Sequence, residues 1–457
     1  MMARRIRDYI EQVLTCEQRA VCDQEGSFVV IACPGSGKTR TAGTRFGWRI
    51  ANYTSRRVGV AAISFTNVAC EEIVDHLSGL GFRGVPQWPH FLGTIDSFVN
   101  QFVFLPFGHL AMGCSRRPDV VHPQSTLYPW VESAMRTKAL AGCYSKGCGS
   151  TLFGFAVDGT LVWRGGTRKR QPSCDRDQCG AVKGVMVRGA FALPSDAMYW
   201  AMCVLRDYPA ICRAIARRFP EIIVDEAQDT SETQVAIIRA LAAAGCDIAL
   251  VGDPDQSIYD FNGARPDLFE SFAKEWPPLR LTTSFRSSQL ICNAVCRFAS
   301  GDRDPMTATG EHKECPLTPV VVKYPLGAEV DLLPRFRAIL EEREITPDNA
   351  AVLAWTHDLV SKMRGKDNDD WPRGLTPVAK ALARAAAYRD QLPPLRAEAH
   401  RDVMWALLRI CFGVGHYGLG YKAIAPVGIR EWRRIGWSAH SGESDHAFRS
   451  KVTARSG

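Results

Sequence analysis

The chain has 457 residues, room for two to four domains at roughly 100–200 residues each, and its 46% apolar and 23% charged residues are an ordinary balance for a protein with buried cores. Its net charge of +8 tolerates a polyanionic partner but is too small for this length to name one. No apolar run nears the ~18 residues of a membrane span, and Asp8 and Glu11 interrupt the basic N-terminal stretch where a secretion signal needs an apolar core, so the expected setting is the cytoplasm, with the 16 cysteines as reduced thiols.

In chain order, short β-branched runs alternate with helical stretches. "SFVVIA" (27–32), "VGVAAISF" (58–65), "EIIVDE" (221–226) and "DIALVGD" (247–253) read as strands. Continuous apolar strands separated by helices predict an α/β fold: a parallel sheet covered on both faces. Residues 105–200 break the rhythm with Gly, Cys, Arg and Pro and read as an insertion. A second αβ pattern starts after about 315, with "PVVVKY" (319–324) and "AAVLAW" (350–355) as strands. Helical stretches follow at 377–390 and 400–412, and the polar tail after about 440 reads as loose.

The first strand runs into Ala32-Cys33-Pro34-Gly35-Ser36-Gly37-Lys38-Thr39-Arg40. This fits a P-loop with alanine at the first glycine position. Glycines let backbone N–H groups turn inward around phosphates, and the following helix adds its positive end. Lys38 is placed to reach the terminal phosphates of a nucleoside triphosphate, and the Thr39 hydroxyl to hold Mg²⁺. The bland alternative is a Gly-rich turn without a ligand. "IIVDEAQD" (222–229) then puts two carboxylates at a strand's carboxyl end, where ligand crevices form in parallel sheets. Asp225 suits Mg²⁺, and Glu226 suits activation of the attacking water.

With these segments in view, the chain resembles superfamily 1A DNA helicases of the UvrD/PcrA/Rep type. "LTCEQRAV" (14–21), "ACPGSGKT" (32–39), "AISFTNVACEEI" (62–73), "GTIDSF" (93–98), "VDEAQDT" (224–230), "VGDPDQSIYDFNGA" (251–264) and "LTTSFRSS" (281–288) follow the family's motif order. The resemblance implies a RecA-like P-loop NTPase sheet with an inserted subdomain and an incomplete second RecA-like domain. The expected boundaries are 1–104 and 201–310 for the first RecA-like domain, 105–200 for the insertion, 311–366 for the partial second domain, 367–440 for a helical segment and 441–457 for the tail.

The resemblance also implies residue roles. Gln18 reads the adenine edge, with the helix capping box Thr15-x-x-Gln18 as the lesser alternative. Pro34, Gly35, Ser36, Gly37 and Arg40 join Lys38 and Thr39 around the nucleotide. Gln256 and Arg286 sense the γ-phosphate as catalytic groups beside Glu226 and Lys38. Phe285 stands where the family has tyrosine and keeps an aromatic face for adenine. Tyr259 and Phe261 stack bases of single-stranded DNA. Thr66, Asn67 and Ser97 contact its backbone, with helix capping as the alternative. Asn262 replaces a usual arginine, which weakens the expected link between nucleotide and DNA.

Cys143, Cys148, Cys174 and Cys179 flank a hairpin whose turn is predicted at Asp158-Gly159. A zinc ion held by the four thiols and a set of reduced loop thiols are the two readings. Residues 300–457 lack the family's last two motifs, so the chain reads as a C-terminally truncated helicase. The alternative is a nucleotide-gated DNA-binding sensor that does not unwind. Within the family, the compact layout is most like the helicase subunit of the Gabija anti-phage system, which implies an OLD-type TOPRIM nuclease as partner besides single-stranded or partly duplex DNA.

Overall fold

The computed structural model describes residues 2–84, 88–121, 153–163, 176–257, 265–299, 303–354 and 357–363. The chain divides into two compact units, 1–319 and 320–457.

The first unit is built on a six-stranded sheet. Its strands, in chain order, are Phe28–Ala32 (β1), Val60–Ser64 (β2), Phe91–Thr94 (β3), Glu221–Val224 (β4), Asp247–Gly252 (β5) and Pro278–Leu281 (β6). They lie in the order β6-β1-β5-β4-β2-β3, and every pairing is parallel. Pro278 begins an edge strand, where a missing ladder N–H is tolerated. Parallel pairing brings all six carboxyl ends to one edge.

Successive side chains of a strand face opposite sides. Val29, Ile63, Ile222, Val224, Ile248 and Leu250 enter one core, shared with Phe98, Phe104, Met202, Phe219, Ile238 and Phe272. Phe28, Val30, Val60, Ala62, Ile223 and Val251 enter the other, shared with Ile6, Ile10, Phe46, Ile73 and Leu77. The sheet is therefore covered on both faces, as the strand patterns predict. Helices Leu105–Met112 and Pro194–Asp207, at the two ends of the expected insertion, contribute Met112 and Met198–Leu205 to the first of these cores.

One buried cation places an element that matters below. Arg45, 1% exposed, pairs with Glu221 at 2.7 Å and donates to the carbonyls of Val21 and Gln24, each at 2.7 Å. It pins the end of helix Cys16–Asp23 to the sheet, and that helix carries Gln18.

Two sequence expectations need correction. The hairpin forms, with Phe153–Phe155 antiparallel to Leu161–Trp163. Its turn is wider than two residues: Ala156 N–H donates to the Thr160 carbonyl at 2.8 Å, leaving Val157, Asp158 and Gly159 at the tip. Asp158 accepts from Thr160 N–H at 2.9 Å, an Asx contact that favours the longer turn. In the second unit, the expected strands at 319–324 and 350–355 form no ladder among the described residues. Val321 and Leu353 are 71% and 94% exposed. β-Branched content favours a pleated surface but supplies no partner strand. The described remainder of that unit includes helices Leu332–Glu342 and His357–Met363.

No helix among the described residues is long and apolar enough to cross a membrane. The described cysteines are free thiols.

Candidate active site

The P-loop leaves β1 at Ala32. Gly35 and Gly37 take φ of +77° and +75°, left-handed values that cost glycine little. A Cβ on Gly35 would lie 2.7 Å from both Arg286 Cβ and Ser284 Oγ, so the close approach of these segments also requires glycine. Helix Lys38–Asn52 starts immediately afterwards and has no side-chain cap. Helices starting at Cys16, Asn67, Glu232 and Gln289 are capped by Thr15, Thr66, Ser231 and Ser288. The first-turn amides of the P-loop helix thus keep their donors for an anion.

Lys38 Nζ meets Glu226 Oε2 at 2.9 Å, and Gln228 Nε2 donates to the same oxygen at 2.8 Å. Burial pushes the Glu226 carboxyl up, but the Lys38 ammonium and these hydrogen bonds outweigh it and hold the group below the usual range. Glu226 has φ 54° and ψ 41°, left-handed geometry that a non-glycine residue adopts at a cost of order 1–3 kcal/mol. The strained backbone turns Glu226 out of the β4 direction toward Lys38, while Asp225 stays in line with the strand through Asp225 N–H to the Ile63 carbonyl at 2.8 Å.

Asp225 is 2% exposed. Its Oδ1 accepts from Glu226 N–H at 3.0 Å, and its Oδ2 has no hydrogen-bond partner. Burial, and next the Glu226 charge, pushes its carboxyl up to about 6, opposed by Thr39 and Lys38. A buried carboxylate with an orphaned oxygen beside a hydroxyl fits a hard divalent cation, which prefers oxygen ligands. Thr39 and Asp225 are therefore the residues that would hold Mg²⁺.

Gln18, 4% exposed, closes the capping box: its Oε1 accepts from Thr15 N–H at 3.1 Å and its own N–H donates to Thr15 Oγ1 at 3.2 Å. Its Nε2 donates to the Ser36 carbonyl at 3.0 Å. Both faces of the amide bind the protein here. Arg40 donates to Tyr9 Oη at 2.5 Å and lies over that ring at 5.4 Å. The segment after β6 docks on the P-loop. Phe285 N–H donates to the Gly35 carbonyl at 2.9 Å and Ser284 Oγ to the Pro34 carbonyl at 2.9 Å. The Phe285 ring is 43% exposed, and Arg286 is exposed beside Gly35.

Gln256 lies on a short 3₁₀ turn after β5, and its Nε2 donates to Asp253 Oδ2 at 2.5 Å. Asp253 is fully buried and donates its N–H to Gln228 Oε1 at 3.0 Å. A hydrogen-bonded chain therefore runs from Lys38 through Glu226, Gln228 and Asp253 to Gln256. Arg303 closes its far end on Asp253 and Asp255. Gln228, Asp253 and Arg303 carry no role in the sequence reading. The first two lie inside quoted motifs, whereas Arg303 sits in a loop with no pattern.

Thr66, Asn67 and Ser97 stand at the carboxyl ends of the adjacent strands β2 and β3. Thr66 Oγ1 accepts from Ala69 N–H at 3.2 Å, and Ser97 bonds with Thr94, so Thr66 is a cap and Ser97 a partner of one. Tyr259, Phe261 and Asn262 lie outside the described residues, as do Cys143, Cys148 and Cys174; Cys179 falls in helix Arg176–Arg188, and its side chain is outside them too. Among the described residues, no cluster of three or more His, Cys, Asp or Glu side chains could hold a metal, and the four thiols of the zinc reading lie outside the residues so searched.

Phosphate loop, strand-end carboxylates and parallel sheet together define a RecA-like P-loop NTPase. The family described as UvrD/REP helicase N-terminal domain matches residues 14–103 and 191–277, on either side of most of the expected insertion. DNA helicase II of Escherichia coli is 25% identical over 312 residues, covering 63% of this chain and 40% of that protein. ATP-dependent DNA helicase UvrD1 of Mycobacterium bovis is 27% identical over 386 residues, covering 77% and 48%. ATP-dependent DNA helicase PcrA of Leuconostoc citreum is 23% identical over 309 residues, covering 61% and 38%. Residues 14–103 and 191–277 thus carry the sequence of the N-terminal domain of UvrD-like superfamily 1 helicases. It spans about two fifths to one half of the length of these relatives.

Proposed function

We propose that this chain binds Mg·ATP at the P-loop and hydrolyses it to drive movement along single-stranded or partly duplex DNA. The observation that carries the reading is the 2.9 Å contact of Lys38 with Glu226, beside the orphaned Asp225 oxygen, at the carboxyl edge of the sheet. When bound, Mg²⁺ supplies charge neutralisation at the phosphates. Lys38 and the uncapped helix start bind the phosphate chain. Glu226, oriented by Gln228, takes the proton of the attacking water. Gln256 and Arg286 approach the γ-phosphate from the β5 and β6 ends, and Arg286 stabilises charge that grows in the transition state. The exposed Phe285 ring offers a stacking face for adenine, and Gln18 and Arg40 lie beside Gly37 of the phosphate loop. Thr66, Asn67 and Ser97, farther along the same edge, suit a DNA backbone, with Tyr259 and Phe261 assigned to bases. The reading requires a compartment holding ATP and DNA, in keeping with the cytoplasm. An OLD-type nuclease as partner rests on the motif resemblance alone.

A titration with a fluorescent ATP analogue tests the binding step. Lys38→Ala should abolish Mg-dependent binding, and equal affinity in the wild type would refute the assignment. Phosphate release should rise on adding single-stranded DNA, and strand displacement should need ATP. ATP binding without strand separation would instead identify a nucleotide-gated sensor, a reading with no observation of its own in its favour.

A further inference from the structure

We propose that Arg303 is a positioning residue that ties the segment carrying Arg286 to the turn carrying Gln256, so that both reach the γ-phosphate as one unit. The inference rests on the functional reading above and adds a residue to it.

The Arg303 side chain is 9% exposed, so its charge is committed to the protein. Its Nη2 donates to Asp253 Oδ1, and its Nε meets Asp255 Oδ2 at 2.8 Å. A guanidinium fork serves two carboxylates at once with fixed geometry, which an ammonium does not. Asp253 is fully buried, and its second oxygen receives Gln256 Nε2. Fixing one carboxylate oxygen therefore fixes the orientation of the other and of the Gln256 amide. Through its N–H, Asp253 also holds Gln228, which holds Glu226. Lys38 is the other cation acting on Asp253.

At its other end, Arg303 stands four residues before Thr307. Thr307–Ala308 pairs in parallel with Thr283–Ser284, and the next residues are Phe285 and Arg286. Ser284 and Phe285 are bonded to the P-loop carbonyls of Pro34 and Gly35. A closed path thus joins P-loop, Arg286 segment, Arg303, Asp253 and Gln256. Cutting it at Arg303 leaves the Arg286 segment on the P-loop and the Gln256 turn on its own local bonds and Gln228, without the tie between the two.

The test uses the full chain with Arg303→Met and Arg303→Lys, read by amide hydrogen exchange, fluorescent-ATP titration and steady-state ATP hydrolysis. In Arg303→Met, exchange should quicken at residues 253–257 and kcat should fall about 10- to 100-fold, the scale of a displaced catalytic group. The ATP dissociation constant should stay within about threefold, because the P-loop is untouched. Arg303→Lys keeps one of the two contacts, should fold where the methionine variant fails to, and should have an intermediate kcat. Wild-type exchange and kcat in either variant would overturn the proposal. So would parallel loss of kcat and ATP binding, which marks a merely structural role. A wild-type chain that binds no Mg·ATP would instead overturn the functional reading and the kinetic half of the proposal with it, whereas the exchange result reads the Arg303 tie directly.

Discussion

Replacing Glu226 by glutamine should abolish turnover and tighten ATP binding. The carboxylate serves two partners: Lys38, nine-tenths buried, at 2.9 Å, and Gln228 at 2.8 Å. A triphosphate arriving at Lys38 must compete with that carboxylate and is also repelled by it. Two unit charges about 4 Å apart attract by about 4 kcal/mol at an effective dielectric of ~20. Glu226 is 28% exposed, and solvent screening with desolvation leaves roughly 1–2 kcal/mol as the coupling that phosphate has to displace. Glutamine keeps the volume and an acceptor for Gln228 but removes the charge. The Mg·ATP dissociation constant should therefore fall about 5- to 30-fold, at 1.4 kcal/mol per tenfold. Loss of the general base should lower kcat by about 10²–10⁴. Fluorescent-ATP titration and phosphate release on the same preparation read both numbers. Weaker or unchanged binding would refute the competition argument, and wild-type phosphate release would remove Glu226 from the chemistry.

Other outcomes follow from the same geometry. Burial, with Arg40 adding, pushes the His76 imidazole down to about 4, and its Nε2 lies 2.8 Å from Thr44 Oγ1. A folded value below the unfolded ~6.5 means that stability holds above about pH 6.5 and is lost as pH falls toward 4; His76→Gln should flatten this acid limb of urea unfolding by roughly 1–3 kcal/mol after screening, and an unchanged limb contradicts it. Gln18→Ala removes the capping box and the donor to Ser36 and should cost about 1–2 kcal/mol in thermal unfolding. If Gln18 also reads adenine, the variant's preference for ATP over GTP should fall toward one, whereas an unchanged ratio would leave it a strut. Gly35→Ala should weaken ATP binding about tenfold or more, since its Cβ would push the Ser284–Arg286 segment off the P-loop; wild-type affinity would show that the close packing there is dispensable.

The candidate site is legible in the sequence where each residue's chemistry is local. Gly35, Lys38 and Thr39 lie on one turn, and Asp225 and Glu226 end one strand, so residue type and spacing suffice. Strand order is different in kind. β1 lies between β5 and β6, more than 200 residues away in the chain, and such pairings come from tertiary packing. "PLRL" carries no strand pattern, because proline and arginine interrupt the apolar run, yet an edge position accepts both. Gln228 and Asp253 act on other side chains rather than on a ligand, and no spacing rule announces that. Arg303 depends on a chain reversal that brings a loop back to a turn fifty residues earlier.

Four of the side chains assigned to the nucleotide already have a protein partner in this structure. Lys38 is held by Glu226, Gln18 by Ser36 and Thr15, Gln256 by Asp253, and Arg40 by Tyr9. Such contacts keep buried polar atoms satisfied and fix their rotamers, which limits the ordering cost of binding. They also mean that nucleotide binding is largely an exchange of partners, so its net gain per contact is small. Asp225 differs: like Ser36 Oγ, its Oδ2 is buried without a partner, and its carboxyl is pushed up to about 6. A cation there relieves an existing penalty instead of displacing a bond. Magnesium should accordingly account for more of the affinity than Gln18 or Gln256, whose protein contacts are exchanged for the nucleotide's. Removing the metal with a chelator should then weaken nucleotide binding more than Gln18→Ala or Gln256→Ala does, and the reverse ranking would show that the exchanged contacts, not Asp225, set the affinity.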